Sequence, residues 1–258
     1  MKYKTLRFQR QGDIGLLLLA RPQKRNALSD EMVAELDACI GALPEGVRAL
    51  VLHGEGKHFC AGLDLAELSD RSAAEGVAHS RGWHRVFERI QFGRVPVVAV
   101  LHGAVVGGGL ELASCAHLRV AEAGTFYALP EGQRGIFVGG GASVRVPRLI
   151  GAARMADMMF TGRVYSADEG QAAGISTYLV SAGKGLAKGI ELAERIAGNA
   201  PATNFALMHV LPRIDELGQD AGLLMESLMA GIAQSEPEAK RRMKDFLEKR
   251  AAKVKQRK

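Results

Sequence analysis

Two glutamates stand where a carboxylate is costly unless it is put to use. Glu111 sits just inside the apolar run Gly109-Leu-Glu-Leu-Ala-Ser-Cys-Ala, and Glu131 follows Leu129-Pro130 in a stretch poor in other charges. Burial penalises the ionised form of such a group unless it is paired or hydrogen-bonded. Two buried carboxyls in one site divide acid and base roles, because desolvation and mutual repulsion push their pKa values apart. Taken singly, each glutamate also reads as a structural or surface residue, and nothing in the sequence itself brings the two together.

The second chemical feature is the cluster Gly103-Ala-Val-Val-Gly107-Gly108-Gly109. It is not GxGxxG, and no Lys-Ser/Thr follows it, so neither the dinucleotide fingerprint nor a P-loop is present. A strand, a tight glycine turn and a helix start remain. That arrangement exposes backbone N–H groups at a helix N-terminus, where the dipole favours developing negative charge. The plainer reading is a turn that needs positive φ. His53, His58, His102 and His117 lack metal or triad spacing and read as packing residues. Cys60 has no evident partner to lower its pKa and reads as a small buried residue. Trp83 reads as packing or lining. With no CxxC or HxxxH pair, no structural zinc or other metal site is expected.

These groups need a scaffold to hold them. Leu6 to Phe8 and Ile14 to Leu19 flank Gln-Gly-Asp as a β-hairpin. Ser29 caps a helix running to about Ile40, and Val47 to His53 reads as a strand, followed by a polar loop from Gly54 to Leu63. Helix Ala73 to Gln91, strand Val97 to Leu101, a helix through Ala116 and strand Leu118 to Ala121 continue the alternation. Helical signals over Gly141 to Ile150, Ala152 to Thr161 and Ala167 to Ala173 precede a strand at Thr177 to Val180, and from Lys184 only helices are signalled. Alternation first and helices last predict an α/β core over residues 1–195 and a helical region over 196–258.

Composition narrows the classes further. Residues 240–258 carry ten Lys or Arg against two acidic residues, more than the whole net charge of +6, so the basicity belongs to the C-terminal end. That distribution argues against a nucleic-acid-binding stripe. No apolar run reaches the roughly 18 residues of a membrane span. The N-terminus does not read as a signal peptide, and three widely spaced cysteines argue for a reducing compartment, hence a cytoplasmic protein.

Four segments resemble the crotonase (enoyl-CoA hydratase/isomerase) superfamily. His58-Phe-Cys-Ala-Gly-Leu-Asp-Leu65 looks like its F-C/S-A-G-x-D-L loop, and Pro96-Val-Val-Ala-Val-Leu-His-Gly-Ala-Val-Val-Gly-Gly-Gly-Leu-Glu-Leu-Ala113 looks like its glycine block. Arg21-Pro22…Asn26-Ala27-Leu28 and Thr161-Gly162-Arg163…Ala167…Glu169-Gly170…Ala173-Gly174-Ile175 resemble two further family stretches, in order and at family spacing.

The resemblance implies a crotonase-like ββα spiral core with a helical C-terminal region for trimer or hexamer contacts. It implies an acyl-CoA thioester substrate, with no cofactor beyond the CoA that the substrate carries. The backbone N–H groups of Leu63 and Gly108 would form the oxyanion hole. Glu111 would hold and activate water, and Glu131 would deliver a proton to the α-carbon. Retention of both carboxylates favours the enoyl-CoA hydratase branch. Arg25, Ala61, Gly62, Asp64 and Leu65 would line the CoA path, with Phe246 and Lys249 meeting CoA from a neighbouring subunit.

There is one departure from the family pattern. Where typical hydratases have proline before the glycines that follow the second Glu, this chain has Val138, and Arg134 is unusual beside an acyl site. Enoyl-CoA isomerisation and hydroxycinnamoyl-CoA hydration with cleavage are the alternative reactions. A non-catalytic RNA-binding relative is the alternative from another class, and the presence of both glutamates speaks against it.

Overall fold

In the computed structural model, which describes residues 2–67 and 71–250, the chain divides after Ala197 into two units. The first opens with an antiparallel hairpin, β1 (Leu6–Gln11) and β2 (Ile14–Leu19). It continues through α1 (Asp30–Gly41), β3 (Ala49–Gly54), α2 (Ala73–Gln91), β4 (Val97–Leu101) and β5 (Ala104–Val106). Next come α3 (Gly108–Ser114), β6 (Leu118–Glu122), β7 (Phe126–Ala128), α4 (Ala142–Ile150) and α5 (Ala152–Thr161). The unit closes with β8 (Tyr165–Ser166), α6 (Ala167–Ala173), β9 (Tyr178–Val180) and α7 (Gly185–Ala197).

Six strands pair in the order β1-β2-β3-β4-β6-β9, all parallel except the hairpin. Both faces of this sheet are covered, which is why β4 reads as an unbroken apolar run. Val98 and Val100 join Val51, Val120, Leu192 and Ala193 in a core beneath α7. Their neighbours Val97, Ala99 and Leu101 point to the other side, into the larger core with Leu36, Phe59, Phe87 and Leu112. Caps start the helices on that side. Ser29 accepts the Met32 N–H at the head of α1, and Ser72 with Glu75 forms a capping box on α2.

A second sheet, β5-β7-β8, was not expected from the sequence. Its strands are two or three residues long and lie between glycines, too short for a period to show. It matters because β5 carries the chain directly into α3. The second unit, in its described residues, consists of helices and short connections. It comprises α8 (Pro201–Phe205), a π-helical turn (Ala206–Val210), α9 (Leu211–Ile214), α10 (Gln219–Ser235) and α11 (Pro237–Leu247). Among the described residues no helix is long and apolar enough to cross a membrane.

Candidate active site

The glycine cluster resolves into β5, one residue of unusual backbone and a helix start. Gly107 takes φ +52° and ψ −122°, open in practice only to glycine, and α3 begins at the next residue. Gly108 N–H, in the first turn, therefore has no intrahelical acceptor. The 57–63 loop is stitched alongside. Cys60 N–H donates to Ala104 O (3.0 Å) and Val106 N–H to Cys60 O (3.1 Å). On the other flank Leu28 N–H donates to Gly62 O (2.7 Å) and Asp64 N–H to Leu28 O (2.8 Å). These two bonds bracket Leu63, so its own N–H faces away from Leu28.

Gly108 occupies that other side. A Cβ built on Gly108 would lie 3.5 Å from Leu63 N, and one on Gly62 would lie 3.7 Å from Gly108 N. The two amides are neighbours at a helix N-terminus, where partial positive charge suits an oxyanion. Gly109 is fixed by close approach, since a Cβ there would lie 2.3 Å from Cys60 O.

All seven residues of α3 are buried, Glu111 among them at 4% exposure. Its Oε1 accepts the N–H groups of Gly140 (2.7 Å) and Ala142 (3.1 Å) from the start of α4. Burial raises the Glu111 pKa, opposed by those amides and by the charge of Arg145. Glu131 is also buried, and its Oε2 has no hydrogen-bond partner. Burial, reinforced by the charge of Glu111, pushes the Glu131 carboxyl up to about 7, against a backbone hydrogen bond and Arg134. Glu131 lies against the glycine turn, because a Cβ on Gly107 would sit 2.6 Å from its Oε1. Both carboxyls are raised by burial, and hydrogen bonding separates them: Glu111 Oε1 has two amide donors, whereas Glu131 Oε2 has none.

α2 supplies an aromatic wall. Trp83 Cζ3 would be 3.4 Å from a Cβ on Gly108, and its ring lies 5.5 Å from His79 and 5.8 Å from Phe87. Ser80 Oγ donates to Gly139 O (2.6 Å), tying α2 to the segment that supplies amides to Glu111. Within that segment Val138 is buried, Phe137 is exposed, and Arg134 ends an exposed 3₁₀ turn, Gly132–Arg134.

The expected CoA-path residues are distributed as follows. Arg25 is exposed in the left-handed region, and its carbonyl accepts the Ala61 N–H (3.0 Å). Gly62 is buried beside Gly108. Asp64 pairs with Arg21 (2.7 Å), which holds its carboxyl below the usual range. Leu65 opens a 3₁₀ turn, Leu65–Glu67. Phe246 and Lys249 are exposed residues of the second unit.

The remaining candidates are structural. His58 Nδ1 accepts the Ala104 N–H (3.1 Å) and His117 Nδ1 the Val97 N–H (3.0 Å). Burial, aided by His102, lowers His53 to about 4, and burial pushes the Cys60 thiol up to about 12. Among the described residues no cluster of three metal-type side chains exists.

Three features of the site were not picked out from sequence. Asn26, fully buried at φ +55°, accepts the Arg21 N–H and donates to Glu55 O (2.9 Å) and His58 O (2.8 Å), pinning the loop before the oxyanion segment. Its signal was present in the Arg-Pro…Asn stretch but carried no role. The Gly140 and Ala142 amides, and Arg145 behind them, have no motif to announce them.

The chain is similar to known proteins along nearly its whole length. The family model described as "Enoyl-CoA hydratase/isomerase" matches residues 9–257. A "probable enoyl-CoA hydratase" of Rhizobium meliloti (strain 1021) is 32% identical, covering 100% of both chains. The "short-chain-enoyl-CoA hydratase" of Clostridium acetobutylicum is 29% identical, covering 97% of each. A crystal structure from Rhodopseudomonas palustris CGA009, described as a "putative enoyl-CoA hydratase", superposes with TM-score 0.93 at 59% identity, over 97% of each chain. The α/β crotonase fold with C-terminal helices is the one the sequence implied.

Proposed function

From the chain's membership of the enoyl-CoA hydratase/isomerase family, we propose that it hydrates 2-enoyl-CoA thioesters reversibly. The observation that carries this reading is the pair of buried carboxyls at one helix N-terminus, one held by two amides and one with an oxygen unpartnered. Leu63 and Gly108 N–H hold the thioester oxygen. Water oxygen bonds to the β-carbon while the π pair moves onto that oxygen as an enolate. Glu111 takes the proton the water loses, and the enolate collapses by accepting a proton from Glu131 at the α-carbon. Dehydration runs the same steps backwards. Preorganised amides act where charge develops, and loss of one such donor costs roughly 10²–10³ in rate.

Arg25 and residues 61–65 are the proposed first-unit contacts to CoA, and Phe246 and Lys249 the proposed contacts from a neighbouring copy. Exposed Leu224, Leu228 and Ile232, spaced four apart on α10, support self-association as a trimer or hexamer.

The test is loss of the conjugated enoyl-thioester absorbance with crotonyl-CoA and with cinnamoyl-type CoA esters. Wild type, Glu111→Ala and Glu131→Ala are assayed side by side. Hydration by wild type with large losses in both variants supports the two-carboxylate reaction. Turnover of no enoyl-CoA, or hydration indifferent to Glu111, overturns it in favour of isomerisation or another acyl-CoA reaction.

A further inference from the structure

Behind Glu111 lies a cation that the hydration scheme has not used. Arg145, in the second turn of α4, is 9% exposed. Its Nη1 donates to Gly140 O (3.2 Å) and its Nε to Gln91 Oε1 on α2 (2.7 Å). It forms no salt bridge among the described residues, so its charge is not cancelled by a direct partner. A guanidinium is not buried for packing alone, since desolvation is costly.

Gly140 is the link. Its N–H reaches Glu111 Oε1 and its C=O reaches Arg145, so one residue is held between a carboxyl and a guanidinium. Room for this exists because Gly141 has no side chain, as a Cβ there would lie 2.2 Å from Arg145 Nη1. The charged or titratable groups around Glu111 are Arg145 from α4, Glu131 from the segment after β7, and Cys115 at the C-cap of α3, whose Sγ donates to Glu111 O (3.2 Å). From α2 the neighbour is Phe87, which carries no charge and would meet a Cβ on Gly140 at 2.9 Å.

We propose that Arg145 is a positioning residue. It clamps Gly140 so that two amides hold Glu111, and it places a positive charge behind that carboxyl. The inference rests on the hydratase reading for its kinetic consequence, but its electrostatic core does not.

The experiment has a turnover-independent arm and a kinetic arm. Thermal unfolding of wild type, Arg145→Gln, Glu111→Gln and the double variant is measured at about pH 8. If Arg145 supports an ionised Glu111, Arg145→Gln lowers Tm by much less when Glu111→Gln is already present, because no carboxylate is left unpaired. Additive losses overturn the proposal, whatever the enzyme turns over.

In the kinetic arm, Arg145→Gln moves the acid limb of the hydration profile upward by about one pH unit, as loss of a nearby opposite charge requires. It lowers kcat at neutral pH about tenfold with little change in KM, and Arg145→Lys returns the limb towards its wild-type position. A folded Arg145→Gln enzyme with a wild-type limb overturns the proposal. Failure of wild type to hydrate any enoyl-CoA instead overturns the functional reading and leaves the unfolding cycle to decide this one. If Arg145→Gln does not fold, Gln91→Leu removes the 2.7 Å anchor while leaving the charge. It is expected to lower kcat severalfold, and an unchanged kcat overturns the clamp.

Discussion

Gly107 and Glu131 touch across the head of α3: a Cβ on Gly107 would lie 2.6 Å from Glu131 Oε1, at a residue whose φ is +52°. The backbone turn that presents the Gly108 amide is thus also the surface on which the second carboxyl rests. Gly107→Ala faces both problems, a backbone conformation suited to glycine that costs other residues about 1–3 kcal/mol and a methyl driven into the carboxyl. The expected outcome is a modest fall in Tm with loss of nearly all hydration, read by melting and crotonyl-CoA assay on the same sample.

Gly108 and Gly109 should separate catalysis from folding. A methyl on Gly108 would meet Leu28 Cδ1 at 3.3 Å and Trp83 at 3.4 Å, contacts that flexible or edge atoms can relieve. It would also lie beside the Leu63 amide. Gly108→Ala is therefore expected to fold and to lose roughly 10²–10³ in kcat. Gly109→Ala puts its methyl 2.3 Å from the Cys60 carbonyl, a backbone atom, and is expected to lower Tm sharply or abolish soluble expression. Equal melting of the two variants would count against this distinction.

Glu131 sets a pH dependence whose sign can be worked out. With its carboxyl pushed up to about 7, the protonated form that delivers the α-proton disappears as pH rises through that value. Hydration kcat should fall on the alkaline side of about 7, and Glu131→Gln should lose nearly all hydration at every pH. Stability follows the same group. The folded state holds the proton from the ordinary 4.5 up to about 7, so stability declines as pH rises across that window. Glu131→Gln is expected to melt higher than wild type at about pH 8 and to converge with it near pH 4.

Asn26 is expected to matter to the scaffold more than to the reaction. Asn26→Ala removes the donor that satisfies the Glu55 and His58 carbonyls and places alanine at φ +55°. The cost is about 2–4 kcal/mol, visible as a lowered denaturant midpoint. Asn26→Asp keeps the Oδ1 acceptor but loses both donated bonds, and should fall on the destabilised side as well.

What the sequence disclosed follows from the range of the interactions involved. Glu111, Glu131 and the glycines were visible because their residue types are rare in such surroundings and sit within a few positions of the elements that carry them. β4 and α2 were visible because burial imposes a period. The β5-β7-β8 sheet was not, since its short strands pair over some twenty residues or more and bury too little each to leave a pattern. The Gly140 and Ala142 amides were equally hidden. They lie 29 and 31 residues from Glu111, and a backbone N–H has no letter in the sequence. Arg145 looks like any helical arginine until the fold closes over it. Val138, in place of the expected proline, is buried, whereas Arg134 points attention to an exposed turn.

The burial of all three cysteines has a practical use. Desolvation raises each thiol, Cys60 and Cys115 to about 12, so maleimides at neutral pH meet almost no native thiolate. The chain is in effect a blank background for site-specific labelling. A single cysteine in place of exposed Arg134 or Phe137 would accept a fluorophore or spin label without first stripping the native sulfurs. The 132–141 segment that delivers its amides to Glu111 could then be watched by spectroscopy while substrate turns over.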